Sequence, residues 1–381
     1  MSNMGVNYTG KFVLAPMVRI GELPTRLLAL KAGADLVWGP EIIDRKIITF
    51  QRTENEKLRT IDFLTAKGKT KKDPSGSTVS FRTHRPSEQG KLIFQMGTAN
   101  PDLAVKAANI IIDDIDGLDI NAGCPKHFSV HAGMGAALLK TPDLLCEILT
   151  RLVNEVGKPK NKPISVKIRI LESKESTLEL VDRILKTGVA NLTVHCRTRD
   201  MRNRESPIRD YLPFIIEKCR NAKVSFIING GIKSHQEYLD LQKEYGSDIG
   251  SMIAEAAETN PTVFSPIPYH WAKAAKEFAK YATEFDNHYA NTKYCLSRSV
   301  PGKAKVYQHI TKSKSKEEIA QIMDKLGEDG SIEGITSEKL NSAKAKPNGA
   351  EAKTNNNKRD LEDPQPNNGT IAKKAKVDQV A

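Results

Sequence analysis

The segment PISVKIRILESKESTLELVDRILKTGVANLTVHCR spans residues Pro163–Arg197 and has the pattern strand, helix, strand. Its first and last parts, PISVKIRI and VANLTVH, are short apolar runs rich in β-branched residues, which is typical of strands buried on both faces. The part between them is helical, as the crossover between two parallel strands requires. The segment therefore predicts one βαβ unit.

The same unit recurs through the first two-thirds of the chain. Eight short apolar runs occur in order, and they begin at Lys11, Ala34, Lys91, Asp116, Pro163, Val189, Val224 and Gly250. Helical segments lie between most of them. Eight strands that alternate with helices favour a closed barrel over an open, doubly wound sheet. We therefore predict an α/β fold, a (β/α)8 TIM barrel.

The crossover helices carry recognisable ends. Asn100, followed by proline, begins one helix, and Ser234 with Glu237 forms a capping box at the start of another. A further helix, opened by Thr141 before a proline, is predicted to stop at Gly157. These signals support helices between the strands.

The chain divides into three predicted regions. Residues 1–264 form the barrel, with a basic insertion near residues 52–90 that we expect to hold a mobile loop and a short strand or hairpin. The strand pattern then stops, and residues 265–328 are expected to form a smaller α-helical domain. Residues 329–381 contain almost no large apolar side chains, so burial cannot offset chain entropy and this tail is predicted to be disordered.

Charge and cysteine content narrow the class of protein. The 381 residues carry a net charge of +12, of which residues 1–265 hold +7, and such a charge fits a polyanionic partner. No apolar run approaches the about 20 residues of a membrane helix, and the first residues contain no signal-peptide core. Five widely spaced cysteines without a CxxC pair argue against disulfides and structural zinc and indicate a reducing compartment.

Catalytic groups of such barrels lie where the strands end. The side chains after the runs, in chain order, are Pro16, Met17, Gln95, Asn121, Cys124, Lys167, His195, Arg197, Asn229, Gly230, Gly231, Ala254 and Glu255. They include no carboxylate pair of the glycosidase type and no Asp/Glu/His cluster that suggests a metal. Lys167 is compatible with two roles, a Schiff-base lysine or a fixed cation that stabilises an anionic ring.

Small residues at the last two strand ends point to a phosphate. Residues 229–231 read Asn-Gly-Gly, and the turn Gly250–Ala257 is also built from small residues. Backbone N–H groups can approach an anion closely at such positions. We therefore expect a ligand that carries a phosphate.

Two further groups are expected to act at the mouth of the barrel. Cys124 lies in a Gly-rich loop, which favours a reactive thiol, whereas Cys146 lies on an apolar helix and is expected in the core. Arginines cluster after the sixth run, at Arg197, Arg199, Arg202 and Arg204. Their density at the mouth favours contact with phosphates over a merely solvated face.

Taken together, these residues resemble the tRNA-dihydrouridine synthases over roughly residues 11–300. The motifs of that family are LAPM at Leu14–Met17, Gln95, N-x-G-C-P at Asn121–Pro125 with GMGAALL after it, K-I-R at Lys167–Arg169, H-C-R-T-R at His195–Arg199 and N-G-G-I at Asn229–Ile232. The amino-acid sequence looks most like that of the eukaryotic branch of the family, which modifies uridine 20, in its shorter fungal form.

The resemblance implies FMN across the barrel mouth, with NADPH or NADH as the reductant. The implied cofactor-binding residues are Pro16, Met17, Gln95, Lys167, His195, Asn229, Gly230, Gly231, Ala254 and Glu255. Glu255 departs from the family, which usually carries a basic residue at this turn. Either the carboxylate turns to solvent and backbone N–H groups hold the phosphate, or the affinity for FMN is lowered.

The resemblance also implies the substrate and the reaction. A uridine of the tRNA D-loop would receive a hydride at C6 from the reduced flavin and a proton at C5 from Cys124. Asn121 would orient the uracil, and Arg197, Arg199 and Arg202 would contact the tRNA together with the α-helical domain. The base must leave its stack to reach the flavin.

Three expectations and two alternatives complete the sequence analysis. We expect a monomer that does not enter a membrane and that is both cytoplasmic and nuclear, because Lys373–Lys376 resembles a nuclear-localisation signal. One alternative is an RNA-binding protein of the same fold with decayed catalysis, motivated by Glu255. The other is an FMN-dependent reductase of free pyrimidines.

Overall fold

A computed structural model of the protein describes residues 5–68 and 76–332. Its strands, in chain order, are β1 (Phe12–Leu14), β2 (Leu36–Trp38), β3 (Ile42–Ile43), β4 (Gln51–Asn55), β5 (Thr60–Ala66), β6 (Ser77–Thr83), β7 (Leu92–Gly97), β8 (Gly117–Ala122), β9 (Ile164–Arg169), β10 (Asn191–His195), β11 (Ser225–Asn229) and β12 (Gly250–Ile253). Eight of them, β1, β2 and β7 to β12, pair in parallel in the order β2-β1-β12-β11-β10-β9-β8-β7, and pairing of β2 with β7 closes the ring. The predicted eight-stranded barrel is confirmed, and each predicted run contains one of its strands.

Helices surround the barrel and continue after it. Their bounds are α1 (Leu23–Lys31), α2 (Asp44–Ile47), α3 (Arg85–Glu88), α4 (Pro101–Ile111), α5 (His127–His131), α6 (Pro142–Arg151), α7 (Lys158–Lys160), α8 (Lys174–Leu185), α9 (Leu212–Asn221), α10 (His235–Tyr245), α11 (Glu255–Thr259), α12 (Trp271–Glu284), α13 (Tyr289–Ser299), α14 (Lys305–Lys312) and α15 (Lys316–Asp324). Two predicted caps are confirmed, because Asn100 Oδ1 accepts from Leu103 N at 2.9 Å and Ser234 Oγ accepts from Glu237 N at 3.2 Å. Thr141 precedes α6 as predicted, but its side chain makes no capping hydrogen bond.

The prediction that Gly157 stops a helix is wrong. The helix continues from α6 through a π-helical turn at Leu152–Gly157 into α7, and it ends at Asn161, whose φ is 51°. A Cβ on Gly157 would lie 2.9 Å from Ile164 Cγ1. Glycine is therefore required here for the close approach of the helix to β9, not for termination.

Two apolar layers follow from the alternation of side chains along each strand. An interior cluster fills the barrel and includes Leu36, Trp38, Ile93 and Met252, all at most 3% exposed. A larger core lies between the outer faces of the strands and the surrounding helices. The polar side chains at the strand ends are thus carried on a barrel that is packed on both faces.

The insertion after β2 contains more structure than predicted. Strands β4, β5 and β6 form a three-stranded antiparallel sheet, where one short strand or a hairpin was expected. Phe63 and Phe81 are fully buried and form a chain of ring contacts from Phe50 to Phe94 of the barrel. This aromatic packing fixes strands whose sequence alone is polar. Part of the predicted mobile loop, residues 69–75, lies outside the described residues.

The C-terminal helices α12 to α15 share a core with the start of the chain. Phe278, Leu296 and Ile310 pack there with Ile20 and with Leu28 of α1. The described residues, 5–68 and 76–332, form one compact unit, and the division at residue 265 stays a prediction. No helix among the described residues is long and apolar enough to span a membrane.

Ordered structure extends past the predicted domain boundary at residue 329, because Ile332 forms a β-bridge with Leu326. The bridge places an apolar side chain, Ile332, against the core of the C-terminal helices. The rest of the predicted tail, with the lysine cluster at residues 373–376, lies outside the described residues.

Candidate active site at the barrel mouth

A cavity of about 600 Å³ opens at the carboxyl ends of β10, β11 and β12. The predicted residues that line it are His195, Arg197, Asn229, Gly230, Gly231, Ala254 and Glu255. The loop of residues 203–207, after β10, forms its outer wall. The strand-end residues of the last three strands therefore meet around one cavity, as the sequence predicts.

Gly230 and Gly231 shape the floor of this cavity. Both have positive φ, 112° and 75°, a region that side-chain-bearing residues rarely adopt. A Cβ on Gly230 would lie 2.9 Å from His195 Cδ2, and one on Gly231 would lie 3.0 Å from Pro207 Cγ. Any larger residue would collide with these side chains of the cavity wall.

His195 and Arg197 form the polar wall of the cavity. The Arg197 guanidinium lies 3.0 Å from His195 Nε2 and donates to the carbonyl oxygens of Glu205 and Asn203, each at 2.9 Å. Burial, together with the positive charges of Lys167, Arg169 and Arg197, lowers the pKa of His195 to about 2. His195 is therefore neutral and accepts from Arg197 through Nε2, which leaves its own proton on Nδ1.

A second polar group lies within the neighbouring strands β7, β8 and β9. Gln95 Nε2 donates to Asp119 Oδ2 at 2.8 Å, and Ser165 Oγ donates to Asp119 Oδ1 at 2.7 Å. Burial raises the pKa of Asp119 to about 6. Burial and the positive charge of Arg169 lower the pKa of Lys167 to about 8. The negative charge of Asp119 opposes this shift. The arrangement holds a cation and an oriented amide side by side.

The loop that carries Cys124 is held by hydrogen bonds from two strands. Asn121 Oδ1, on β8, accepts from Gly123 N at 2.9 Å and from Cys124 N at 3.0 Å. From β9, Arg169 Nε donates to Gly123 O at 2.9 Å. The loop then turns at Gly135, where a Cβ would lie only 3.1 Å from Cys124 Cβ. The half-buried Cys124 is thus fixed at the mouth, whereas its side chain keeps partial access to solvent.

A comparison with protein families assigns the chain. The family model described as dihydrouridine synthase matches residues 35–346. The chain belongs to the dihydrouridine synthase family. It is an oxidoreductase of a family whose members reduce uridine in tRNA.

Individual dihydrouridine synthases are similar over most of the chain. The tRNA-dihydrouridine(20) synthase (NAD(P)+) of Saccharomyces cerevisiae is 52% identical over 348 residues, which cover 89% of this chain and 90% of that one. The protein of the same name from Schizosaccharomyces pombe is 52% identical over 301 residues, 78% of this chain and 61% of that one. The tRNA-dihydrouridine(20a/20b) synthase (NAD(P)+) of Saccharomyces cerevisiae is 28% identical over 273 residues, 72% of this chain and 67% of that one.

The arginines predicted to contact substrate occupy different environments in this dihydrouridine synthase. Arg197 is only 5% exposed and belongs to the cavity wall, not to the open face. Arg199 is half-buried, and Arg202 and Arg204 are exposed. Of the predicted substrate contacts, Arg202 is therefore the residue most accessible to a macromolecule.

Residues at the first and last strand ends flank the mouth. Pro16 and Met17 follow β1 and are half-buried, and Met17 contacts the interior cluster, the outer core and the core of the C-terminal helices. Glu255 is exposed at the start of α11, and its negative charge acts on Arg197. The carboxylate that departs from the family pattern thus lies near a buried cation.

Two residues of the site were not found from the sequence. Asp119 lies inside β8, so the search of strand ends passed over it. Glu41 follows β2, and its carboxylate lies over Gly97 of β7, close to Asn121 of β8. The same search, applied to the end of the second strand, finds Glu41.

Proposed function

We propose that the protein reduces uridine 20 in the D-loop of tRNA to 5,6-dihydrouridine, with FMN as cofactor and NADPH or NADH as reductant. One observation carries the proposal: the barrel mouth has a cavity floored by Gly230 and Gly231, and a separate loop that holds Cys124. The cavity can take a phosphate-bearing cofactor, and the cysteine can serve as a proton donor. The names of the two relatives at 52% identity support uridine 20 and a nicotinamide reductant.

The cavity fits the phosphate end of FMN. The missing side chains at Gly230 and Gly231 leave the backbone open to the cavity. Arg197 supplies a positive charge at the wall, and His195 supplies a neutral imidazole that can donate from Nδ1. A buried cation and neutral donors suit a phosphate, since both stabilise negative charge without adding a competing anion.

The ends of β7 and β9 fit the ring of FMN. Bound FMN would supply the hydride that reaches C6 of the uracil. Gln95 is fixed by its bond to Asp119, so its amide can present one orientation to the pyrimidine edge of a flavin. Lys167 holds a positive charge below a pH of about 8 and can stabilise negative charge on a reduced ring.

Cys124 holds the proton that would go to C5. Burial raises the pKa of its thiol, and the nearby carboxylate of Glu41 raises it further. The sulfur therefore keeps its proton at neutral pH and can donate it to a carbon beside it. Because Asn121 Oδ1 already accepts from two N–H groups of the loop, we assign Asn121 the placement of Cys124 in addition to its predicted contact with uracil.

The proposal is tested by comparing two cysteine variants. Cys124→Ala should bind FMN and tRNA as the unchanged protein does, but dihydrouridine formation should fall by about 10²–10⁴-fold, as expected for loss of a general acid. Cys146, half-buried on α6, provides the matched control, and Cys146→Ala should keep its activity. Dihydrouridine would be mapped by position in tRNA from a strain that lacks the modification.

Each alternative function predicts a different outcome of this experiment. A colourless protein that gains no activity with added FMN but binds tRNA would support decayed catalysis. Faster turnover of free uracil than of unmodified tRNA would support a pyrimidine reductase. Dihydrouridine at a position other than 20 would contradict the proposed site of modification.

A further inference from the structure

Glu41 is held at the barrel mouth by a short extension of the sheet. It follows β2, and the next two residues form β3, in which Ile42 pairs with Met96 and Ile43 pairs with Gly97 of β7. A Cβ on Gly97 would lie 2.6 Å from Glu41 Oε1, so the carboxylate covers this glycine. The pairing and the missing side chain together place Glu41 over the end of β7.

A line of neighbouring polar groups runs from Glu41 to Cys124. Glu41 lies over Gly97, the residue after Met96, and Met96 pairs with Ile120, the residue before Asn121. Asn121 Oδ1 accepts from the backbone N–H groups of Gly123 and Cys124, which turns the amide nitrogen away from the loop. A carboxylate can only accept, so Glu41 favours this orientation of Asn121.

The charges that face the Cys124 sulfur come from three segments. Glu41 is the negative one; Lys126 on the same loop and both Lys167 and Arg169 on β9 are the positive ones. Burial is the largest cause of the raised thiol pKa, the Glu41 charge adds to it, and Lys126 opposes it through its backbone N–H and its charge. Removal of Glu41's charge therefore leaves only positive charges around the sulfur.

Glu41 is an anion under ordinary conditions, and its charge is not fully neutralised. Burial raises its pKa to about 6, while the neighbouring Asn121 side chain and the charge of Lys126 oppose the rise. Its Oε1 atom is buried and has no hydrogen-bond partner among the described residues. A carboxylate with one unpaired oxygen in a partly desolvated site acts strongly on a neighbouring thiol.

We propose that Glu41 is a positioning residue for the proton donor, which orients Asn121 so that the Cys124 loop is fixed and which keeps the proton on the Cys124 sulfur. The inference rests on the proposed function in one respect, the role of Cys124 as proton donor. After Cys124 gives its proton to carbon, the sulfur is a thiolate beside a carboxylate. That repulsion favours recovery of a proton from solvent before the next turnover.

The charge of Glu41 is tested by alkylation of Cys124 as a function of pH. The full-length protein, with FMN in the buffer, is treated with iodoacetamide, and the peptide that contains Cys124 is followed by mass spectrometry. Glu41→Gln keeps an oxygen that can accept from Asn121 but removes the charge. The alkylation midpoint, the pH at which the rate is half of its maximum, should fall by about half to one pH unit in this variant. At a pH below the midpoints of both proteins, the variant should therefore be alkylated about three- to tenfold faster.

Matched variants separate the charge from other effects. Glu56→Gln removes an exposed carboxylate from the turn between β4 and β5 and should leave the midpoint unchanged. Glu41→Asp withdraws the charge from the sulfur and should lower the midpoint less than glutamine does; this variant serves if Glu41→Gln does not fold. A midpoint equal to that of Glu56→Gln in either Glu41 variant would overturn the proposed effect on the proton.

The orientation of Asn121 is tested by turnover. Glu41→Ala removes the acceptor as well as the charge, so kcat on tRNA should fall further than in Glu41→Gln while KM and FMN affinity change little. Equal kcat values in the two variants would overturn the positioning role. Alkylation of Cys124 does not require reduction of tRNA, so the two proposals can fail separately. If the unchanged protein makes no dihydrouridine but Glu41→Gln still shifts the alkylation midpoint, the proposed function is refuted and the effect of Glu41 on the thiol is supported.

Discussion

Glu255 lies at the edge of the cavity, at the turn where the resemblance to the family implies a basic residue. It is exposed, and its charge acts on Arg197, the buried cation of the cavity wall. We infer that Arg197 takes over part of the charge balance that a basic residue at position 255 would supply. We therefore expect the Glu255 carboxylate to weaken cofactor binding without abolishing it.

Replacement of this carboxylate should strengthen cofactor binding. Glu255→Arg removes a negative charge from the cavity and adds a positive one, so FMN affinity should rise by about three- to tenfold at low salt and by less at high salt. Quenching of flavin fluorescence on binding measures the change. Glu217→Gln, on the exposed face of α9, is the control and should bind FMN like the unchanged protein. An unchanged or lower affinity in Glu255→Arg would show that Glu255 faces away from the phosphate.

Residues at strand ends could be predicted from the sequence because the fold fixes where they go. His195 and Gly230 follow apolar runs directly, and parallel strands bring such positions to one mouth. Asp119 could not be found in this way, since it lies within β8, where it contacts its register partner Gln95 on the neighbouring strand β7. Arg197 was assigned to the open face because two of its three partners, the carbonyl oxygens of Asn203 and Glu205, reach it only when the loop after it folds.

At the scale of elements, the insertion depends on a buried ion pair. Arg26 of α1 bonds Glu88 of α3 at 2.6 Å, and both side chains are fully buried. Glu88 also accepts from Thr83 Oγ1 and His84 N at 2.9 Å, and Arg26 donates to the carbonyl of Arg82 at 2.7 Å. The pair therefore ties the end of β6 to a barrel helix.

Loss of one partner should destabilise the fold strongly. Arg26→Met keeps the volume but leaves the Glu88 carboxylate buried without its cation, so the free energy of unfolding should fall by about 3–5 kcal/mol. Asp113→Asn breaks the exposed pair with Lys160 and should cost less than about 1 kcal/mol. Chemical denaturation of both variants measures the difference. A loss in Arg26→Met as small as in Asp113→Asn would mean that the pair does not hold the insertion.

Elements were predictable where their pattern is apolar. The eight barrel strands are buried on both faces, so each is a continuous apolar run. Strand β4 is mostly exposed and reads QRTEN, which resembles a loop. Its place in a sheet depends on pairing with β5 and on the distant ring contacts of Phe63, and neither is visible in a local window.

At the scale of the whole molecule, the positive charge has a role if tRNA is the substrate. The chain carries +12, and Arg202 is an exposed cation on the loop at the mouth. Arg202→Gln should weaken tRNA binding uniformly and should reduce the slope of log affinity against log salt by about one, as loss of one phosphate contact does. Lys243→Gln on α10 makes the same charge change on an outer helix and should leave the slope unchanged. Equal slopes in the two variants would exclude Arg202 from the tRNA contact.

The order of the barrel strands sets the order of events during synthesis. β1 is made first, yet one of its two neighbours is β12, with Phe12 opposite Ser251. At about 5–20 residues per second, roughly ten to fifty seconds separate the two strands on the ribosome. During that interval one edge of β1 has no partner, and an open strand edge is a template for pairing with other chains. Newly made chains should therefore depend on chaperones until residue 253 has emerged, and premature termination before that point should yield aggregates instead of a smaller folded barrel.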